Sequence, residues 1–454
     1  MHPGNLRTAL FNALLARRDG GPFLVRVEDT DRDRSDPATM EALLDDLRWL
    51  GLAWQEGPGC DAPEGGAWQS ARAPIYARYY QQLVDAGRAY RCFCTQAELQ
   101  RVRAAQRAAG QPPRYPGTCA GLTRAEADER EANGDKPALR FRVDTDRELV
   151  MPDLVRGEQR YALADIGDFV IRRADGSAAF FFSNAVDDAL MGVTHVLRGE
   201  DHAANTPRQY LILEALGLTP PIWGHIGLIA GSDGAPLAKR HGAGSVAELR
   251  EAGYLPLALV NYLARLGHAY TDNGLLGLDE LAAGFDTQRL SGSPARFDPE
   301  QLAHWQDEAV AAAPTPKLLD WLGPDDPVPV DQRHAFVDCV RANVRFPQEL
   351  RQWAERLFGA PAWDDAMNAW LKDAGGDFFD QALASYDAVG SDWQALTGAL
   401  REATGRRGKG LFMPLRVALT AATSGPELAR VIALLPAATV RGRLQAAAAR
   451  ARGD

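Results

Sequence analysis

Two short stretches of the chain carry residue types suited to gripping phosphate. The first is His2-Pro3-Gly4-Asn5, at the head of a segment with helical patterning. A helix N-terminus presents unpaired N–H groups and a partial positive charge, and a glycine in the turn lets an anion approach the backbone. The His2 imidazole can donate there to a phosphate oxygen as negative charge builds on it. The second stretch is GSDGAPLAKRHGAGS, in which Lys239 and Arg240 lie between glycine-rich segments that allow a loop to close over a phosphate. Each stretch alone also reads as an ordinary turn. Together they read as the two halves of one phosphate clamp, with His2, Gly4, Asn5, Lys239 and Arg240 as its contacts.

A third group is the thiols. Cys92 and Cys94 are two apart, so on a strand they face one side, and Cys119 follows after a helix-patterned gap of 24 residues. Three thiolates can bind zinc and leave a fourth position to fill; three reduced, packed cysteines are the other reading. Cys60 and Cys339 read as ordinary buried residues.

These groups need elements to hold them. Leu6, Leu10, Ala13, Leu14 and Arg17 recur at helical spacing until Gly20-Gly21, and FLVRV (Phe23 to Val27) alternates as a strand. Asp36-Pro37 predicts a helix start, an N-cap followed by proline at the first position, and Gly51 its stop. This is βα-type order. From about residue 86 to 180 the pattern is irregular and reads as an insertion. The alternating texture then returns, and from about residue 300 the chain turns helical. At 454 residues, with 46% hydrophobic and 24% charged, it exceeds one hydrophobic core. The net charge of −10 argues against a general nucleic-acid coat but leaves room for a local basic track. The long uncharged run Ala215–Ser232 is broken by Pro220 and Pro221, so no transmembrane or signal segment is expected and the cytoplasm is the default location.

The pairing of an HxGN helix start with a KR loop resembles the two signatures of class I aminoacyl-tRNA synthetases. The blocks HPGNLRTALFNALLARRDGGPFLVRVEDTDRDRS, LRWLGLAWQEGP, VDDALMGVTHVLRGEDHAANTPRQ, LAKRHGA, GYLPLALVNYLARLG and GKGLFMPLRVALT are similar, in order, to those of the bacterial glutamyl-tRNA synthetases. The resemblance implies an α/β Rossmann-like catalytic domain with an inserted α+β subdomain and an all-α C-terminal anticodon-binding region. It divides the chain into catalytic halves at 1–85 and 181–240, an acceptor-binding insert at 86–180, a stem-contact helical domain at 241–305 and a helical anticodon-binding domain at 306–454.

The resemblance also implies chemistry. L-glutamate would be joined to tRNA through a glutamyl-adenylate made from ATP with Mg2+, without a protein nucleophile. His2 and Gly4 would hold ATP, and Lys239 would stabilise the transition state. Arg198 of VLRGE would take the glutamate side-chain carboxylate, and Glu28, the first acid of EDTD, the ammonium. Zn2+ would be held by Cys92, Cys94, Cys119 and Tyr115, the last four residues before Cys119. The partners implied are tRNA(Glu) and possibly tRNA(Gln), with a monomeric enzyme and no membrane. Arg101, Arg103 and Arg107, the Gly405–Lys409 stretch, and Arg341, Arg345 and Trp353 are candidate RNA contacts.

Four departures from the family pattern stand out. Phe180 replaces an aromatic hydroxyl 18 residues before Arg198, with Asn184 as a substitute hydrogen-bonding group. Pro236 and Ala238 occupy the places of a lysine and a serine in the loop. The first, central strand and its turn are not seen before His2, so unpaired backbone and a solvent-filled slot are expected beside the helix, with the Met1 ammonium against the helix tip. The simplest account of this is an internal methionine in a longer natural chain. A catalytically impaired tRNA-binding paralogue and a tRNA-modifying glutamyl transferase are the alternatives, the long helical tail counting against the latter.

Overall fold

Helix α1 (Pro3–Asp19) begins as its sequence predicts: the His2 side chain accepts from Gly4 N–H, Pro3 fills the first turn, and Gly20 ends the helix at φ 68°. Leu6, Leu10, Phe11, Leu14 and Leu15 bury its inner face. The computed structural model describes residues 1–30, 36–60, 64–235, 237 and 244–453. They fall into two compact units, Met1–Ala247 with Val260–Pro299, and Glu248–Leu259 with Glu300–Asp454.

In the first unit, α2 (Pro37–Trp49) has the expected cap, Asp36 accepting from Thr39 N–H. Helix α3 (Ala73–Asp85) leads into the irregular region. Strand β1 (Ala89–Cys92) is followed by helices α4 (Gln96–Ala108) and α5 (Arg124–Ala132), each opened by a capping box from Thr95 or Thr123. Next come β2 (Ala138–Phe141), the antiparallel hairpin of β3 (Glu148–Asp153) and β4 (Gly157–Ala162), the short α6 (Leu163–Ile166), and β5 (Phe169–Arg172). Strands β1, β2 and β5 form an antiparallel sheet in that order. The region is thus α+β, as the resemblance implied.

The texture changes at α7 (Phe180–Leu190). Strand β6 (His195–Gly199), helix α8 (Thr206–Leu216) and strand β7 (Ile222–Ile226) form a parallel βαβ unit in which Arg198 lies opposite His225. Gly224 lets the hairpin approach: a Cβ there would lie 2.7 Å from Leu197 and 3.1 Å from Leu154. Leu154 N–H accordingly reaches Trp223 O, bringing the end of β3 against β7. Phe182, Phe141, Leu83, Leu163 and Ile171 sit in the core, with Tyr80 stacked on Phe182 at 4.2 Å.

The FLVRV strand is only half realised. Its segment is bridged in parallel at Leu24 to Glu56 and at Val27 to Trp68, with Val25 and Val27 N–H bonded along that edge. No strand among the described residues pairs with its other edge. Between it and β6 lies a cavity of about 650 Å³, lined by Phe23 to Arg26 on one side and His195 to Leu197 on the other. Asn12 of α1 partly closes it: its side-chain amide accepts from Leu197 N–H at 3.0 Å and donates to Leu197 O at 2.7 Å, pairing as a peptide group would.

The second unit is helical. Helices Pro347–Phe358, Asp365–Ala374, Gly376–Val389, Trp393–Thr404, Lys409–Thr420 and Ala437–Arg452 bury Leu357, Leu371, Phe379, Leu400, Leu411 and Val440.

Candidate active site

At the mouth of α1, His2 Nδ1 is occupied by the Gly4 N–H at 3.2 Å, so the neutral ring carries its proton on Nε2, free to donate. Burial and then the Met1 ammonium lower the His2 pKa, which favours that neutral form. The Met1 ammonium pairs with Asp46. Lys239 and Arg240, with Pro236 and Ala238, lie outside the described residues. The flanks of their loop do not: Leu237 N–H bonds Ile229 O, and Val246 N–H bonds Met1 O at 2.9 Å, one residue from His2. Val246, among the described residues that follow, thus meets the residue before His2.

The slot cavity brings Asn5, Glu28 and Asn184 together with Arg26 and Asp188. Glu28 is open to water inside the cavity yet enclosed by protein around it. That enclosure raises its pKa, while a hydrogen bond from Asn184 and the Arg26 charge oppose the rise. Asn184 accepts from Arg26 at 2.7 Å and donates to Phe180 O at 2.9 Å, and its nearness helps to keep Glu28 ionised. Residue 180 brings no hydroxyl to this group, and Asn184 lines the same cavity as Glu28. Phe180 instead lies against the His202 ring at 5.4 Å.

Beneath this layer is a network the sequence reading missed. Asp187, fully buried, accepts from Gln69 at 3.0 Å, Arg72 at 2.7 Å and Tyr76 at 2.7 Å. Arg26 pairs with Asp188 at 2.8 Å and lies 3.7 Å from Asp187. The signal was available: alternation in VRVE puts Arg26 and Glu28 on one face of a strand, and Asn184, Asp187 and Asp188 share one face of a helix.

Arg198 is differently placed. Its Nε donates to His225 at 3.2 Å, and its Nη2 to Thr206 at 2.6 Å and Gln209 at 2.7 Å, all neutral side chains. Burial lowers its pKa to about 10, while Asp188, Asp153, Asp201 and Glu28 act on it only through space. A half-buried guanidinium hydrogen-bonded to no carboxylate is built to receive one.

The thiol cluster forms as expected. Cys92, Cys94 and Cys119 offer sulfur atoms within 4.8 Å of one another. The Tyr115 hydroxyl lies 3.4 Å from Cys92 Sγ and 3.5 Å from Cys94 Sγ, and accepts from Cys119 N–H. Cys339 is buried, but Cys60 is exposed, contrary to expectation.

The RNA readings at Trp353, Arg341 and Arg345 are corrected. Trp353 is only 7% exposed, and a Cβ at Gly425 would touch its ring, so it is core and cannot stack on a base. Arg341 is spent on Ala311 O, Ala313 O and Thr315, and Arg345 on Asp307. Arg101, Arg103, Arg107, Arg407 and Lys409 are exposed.

Comparison with known proteins decides the family. A model described as the catalytic domain of class I tRNA synthetases (E and Q) matches residues 1–304, and one described as an anticodon binding domain matches 301–448. Glutamate–tRNA ligase 2 of Nitrosococcus oceani is 56% identical over 98% of this chain and 95% of its own length; glutamate–tRNA ligase 1 of Halorhodospira halophila is 54% identical over 99% and 94%. The chain belongs to the glutamate–tRNA ligases. The crystal structure of such a ligase from Elizabethkingia meningosepticum, in complex with its amino acid, superposes with a TM-score of 0.89 at 26% identity, covering 99% of this chain and 96% of that one. The ligase fold thus spans the Rossmann-like catalytic part and the helical anticodon-binding part alike. With the anticodon domain matched, the glutamyl transferase reading loses its support, and nothing favours an impaired paralogue.

Proposed function

We propose how this ligase attaches glutamate to tRNA, residue by residue. The α-carboxylate oxygen of glutamate bonds to the α-phosphorus of ATP as the bond to the leaving pyrophosphate breaks, and no protein nucleophile is required. His2 Nε2, the α1 tip with Gly4 and Asn5, and the Lys239–Arg240 loop hold the phosphates, with Mg2+ accompanying the pyrophosphate. Glu28 takes the substrate ammonium, and Arg198 the side-chain carboxylate. A terminal ribose hydroxyl of the tRNA then attacks the glutamyl carbonyl, and AMP leaves. The observation that carries the amino-acid assignment is Arg198, a cation whose hydrogen-bonding partners are all neutral.

The five-part division given above is the proposed domain plan, in a monomer working in the cytoplasm; no helix among the described residues is long and apolar enough to cross a membrane. A cavity of about 920 Å³ lined by Arg172 and Arg173 offers cations to the acceptor end. The donor set Cys92, Cys94, Cys119 and Tyr115 fits Zn2+, with a spacing that needs little movement for tetrahedral closure. Burial pushes the Tyr115 phenol up, so it loses its proton to solvent only when a metal cation displaces it. Zinc would clamp the insert and take no part in the chemistry.

Glutamate-dependent pyrophosphate exchange with added tRNA tests the activity, and charging of tRNA(Glu) and tRNA(Gln) in parallel defines the RNA. Exchange is expected with glutamate and tRNA(Glu); none with either tRNA overturns the reading. Metal analysis of the purified protein is expected to give about one zinc per chain, and less than a tenth of that removes the clamp.

A further inference from the structure

We infer that His225 and Asp153 are positioning residues for Arg198, fixing which of its nitrogens faces the substrate. The inference rests on Arg198 as the glutamate side-chain contact. His225 is 2% exposed and carries no role in the chemistry above. Its Nε2 lies 3.2 Å from Arg198 Nε and 2.9 Å from the Thr206 hydroxyl, and its Nδ1 pairs with the Asp153 carboxylate. Asp153 is itself pinned: one oxygen accepts from Val155 N–H and Arg156 N–H at 2.9 Å and from His225 N–H at 3.2 Å, leaving the other for the imidazole. Burial alone would raise the Asp153 pKa, but these bonds hold it below the ordinary value, so it remains a carboxylate and must receive a proton from His225 Nδ1. Nε2 is then an acceptor, as Arg198 Nε–H requires.

The hydrogen inventory closes around one nitrogen. Arg198 spends Nε–H on His225 and both Nη2 hydrogens on Thr206 and Gln209. Only Nη1 is left to meet a carboxylate. Asp153 ends strand β3 of the insert, whereas Arg198 and His225 face each other on β6 and β7, so a residue outside the catalytic sheet sets the orientation of the side chain that reads the amino acid.

Three substitutions test this in pyrophosphate exchange. Asp153→Asn presents an N–H to His225 Nδ1, forces the proton to Nε2 and sets it against Arg198 Nε–H. His225→Asn keeps a donor for Asp153 but has no acceptor at the Nε2 position; His225→Gln restores an acceptor there. Asp153→Asn and His225→Asn are expected to raise KM for glutamate about tenfold, with KM for ATP and kcat within about twofold, and His225→Gln to recover most of the loss. A glutamate KM unchanged in the first two, or no better in His225→Gln than in His225→Asn, overturns the positioning role. Arg198→Ala is the control: if it leaves the glutamate KM unchanged, the Arg198 reading itself fails, whatever His225 does. Should a variant not fold, the nitrogen-15 shifts of His225 in the parent protein still decide, with a proton on Nδ1 expected and a proton on Nε2 overturning the inference.

Discussion

At the scale of the residue, charges in the site divide into those already matched and those waiting. Arg26, Arg72, Asp187 and Asp188 satisfy one another in the interior. Removing one of these would leave a buried charge unpaired, so they read as foundation. Arg198 and Glu28 have neutral or cavity-facing partners and complement the two ends of a glutamate side chain and backbone. Replacing Glu28 by Gln keeps its shape but removes the charge that meets an ammonium. A lost charge-assisted bond of about 2 kcal/mol predicts a fall of roughly thirtyfold in kcat/KM for glutamate, with KM for ATP unchanged. Pyrophosphate exchange at varied glutamate measures it, and a change under about threefold would contradict the assignment.

At the scale of the element, the joint that matters is α1 against β6. A strand edge left without a neighbour strand needs its polar groups answered, and Asn12 answers those of Leu197, itself only 1% exposed. Asn12→Ala leaves an N–H and a C=O in the cavity wall, with a cost of about 2 kcal/mol and a clear drop in Tm. Asn12→Asp is expected to rescue little, since a carboxylate can accept from the N–H but opposes the carbonyl. Thermal unfolding of the two variants checks this; a Tm equal to the parent's for Asn12→Ala would show that water serves the edge as well as the amide does.

At the scale of the whole molecule, three histidines of the first unit set a pH limit. Burial is the largest cause of a lowered pKa at His2, His202 and His268, with the Met1 ammonium adding to it at His2. A histidine whose folded pKa lies below its unfolded value costs nothing while both states are neutral. As pH falls through the unfolded value, about 6.5, the unfolded chain takes up protons that the folded chain refuses, and stability declines. Tm is therefore expected to be level above about pH 7.5 and to fall by pH 5.8 or so, before the carboxylates titrate. A Tm that holds or rises over that interval would contradict it.

Much of this was legible in the chain itself, for a local reason. Caps, stops and periodicity depend on a few adjacent residues, so α1 with His2 and Gly20, α2 with Asp36, the irregular insert and the helical tail could all be read directly. The Cys92–Cys94 pair declared itself by spacing. What the tertiary structure alone decided were pairings across long separations. Arg198 meets His225, which meets Asp153 from the insert; Asn184 meets Arg26 of the distant strand segment; Trp353 and Arg341 are claimed by the helical unit's own packing. A side chain's partner is set by which backbones are brought within about 3 Å, and that distance is fixed only when the whole unit has closed around its core.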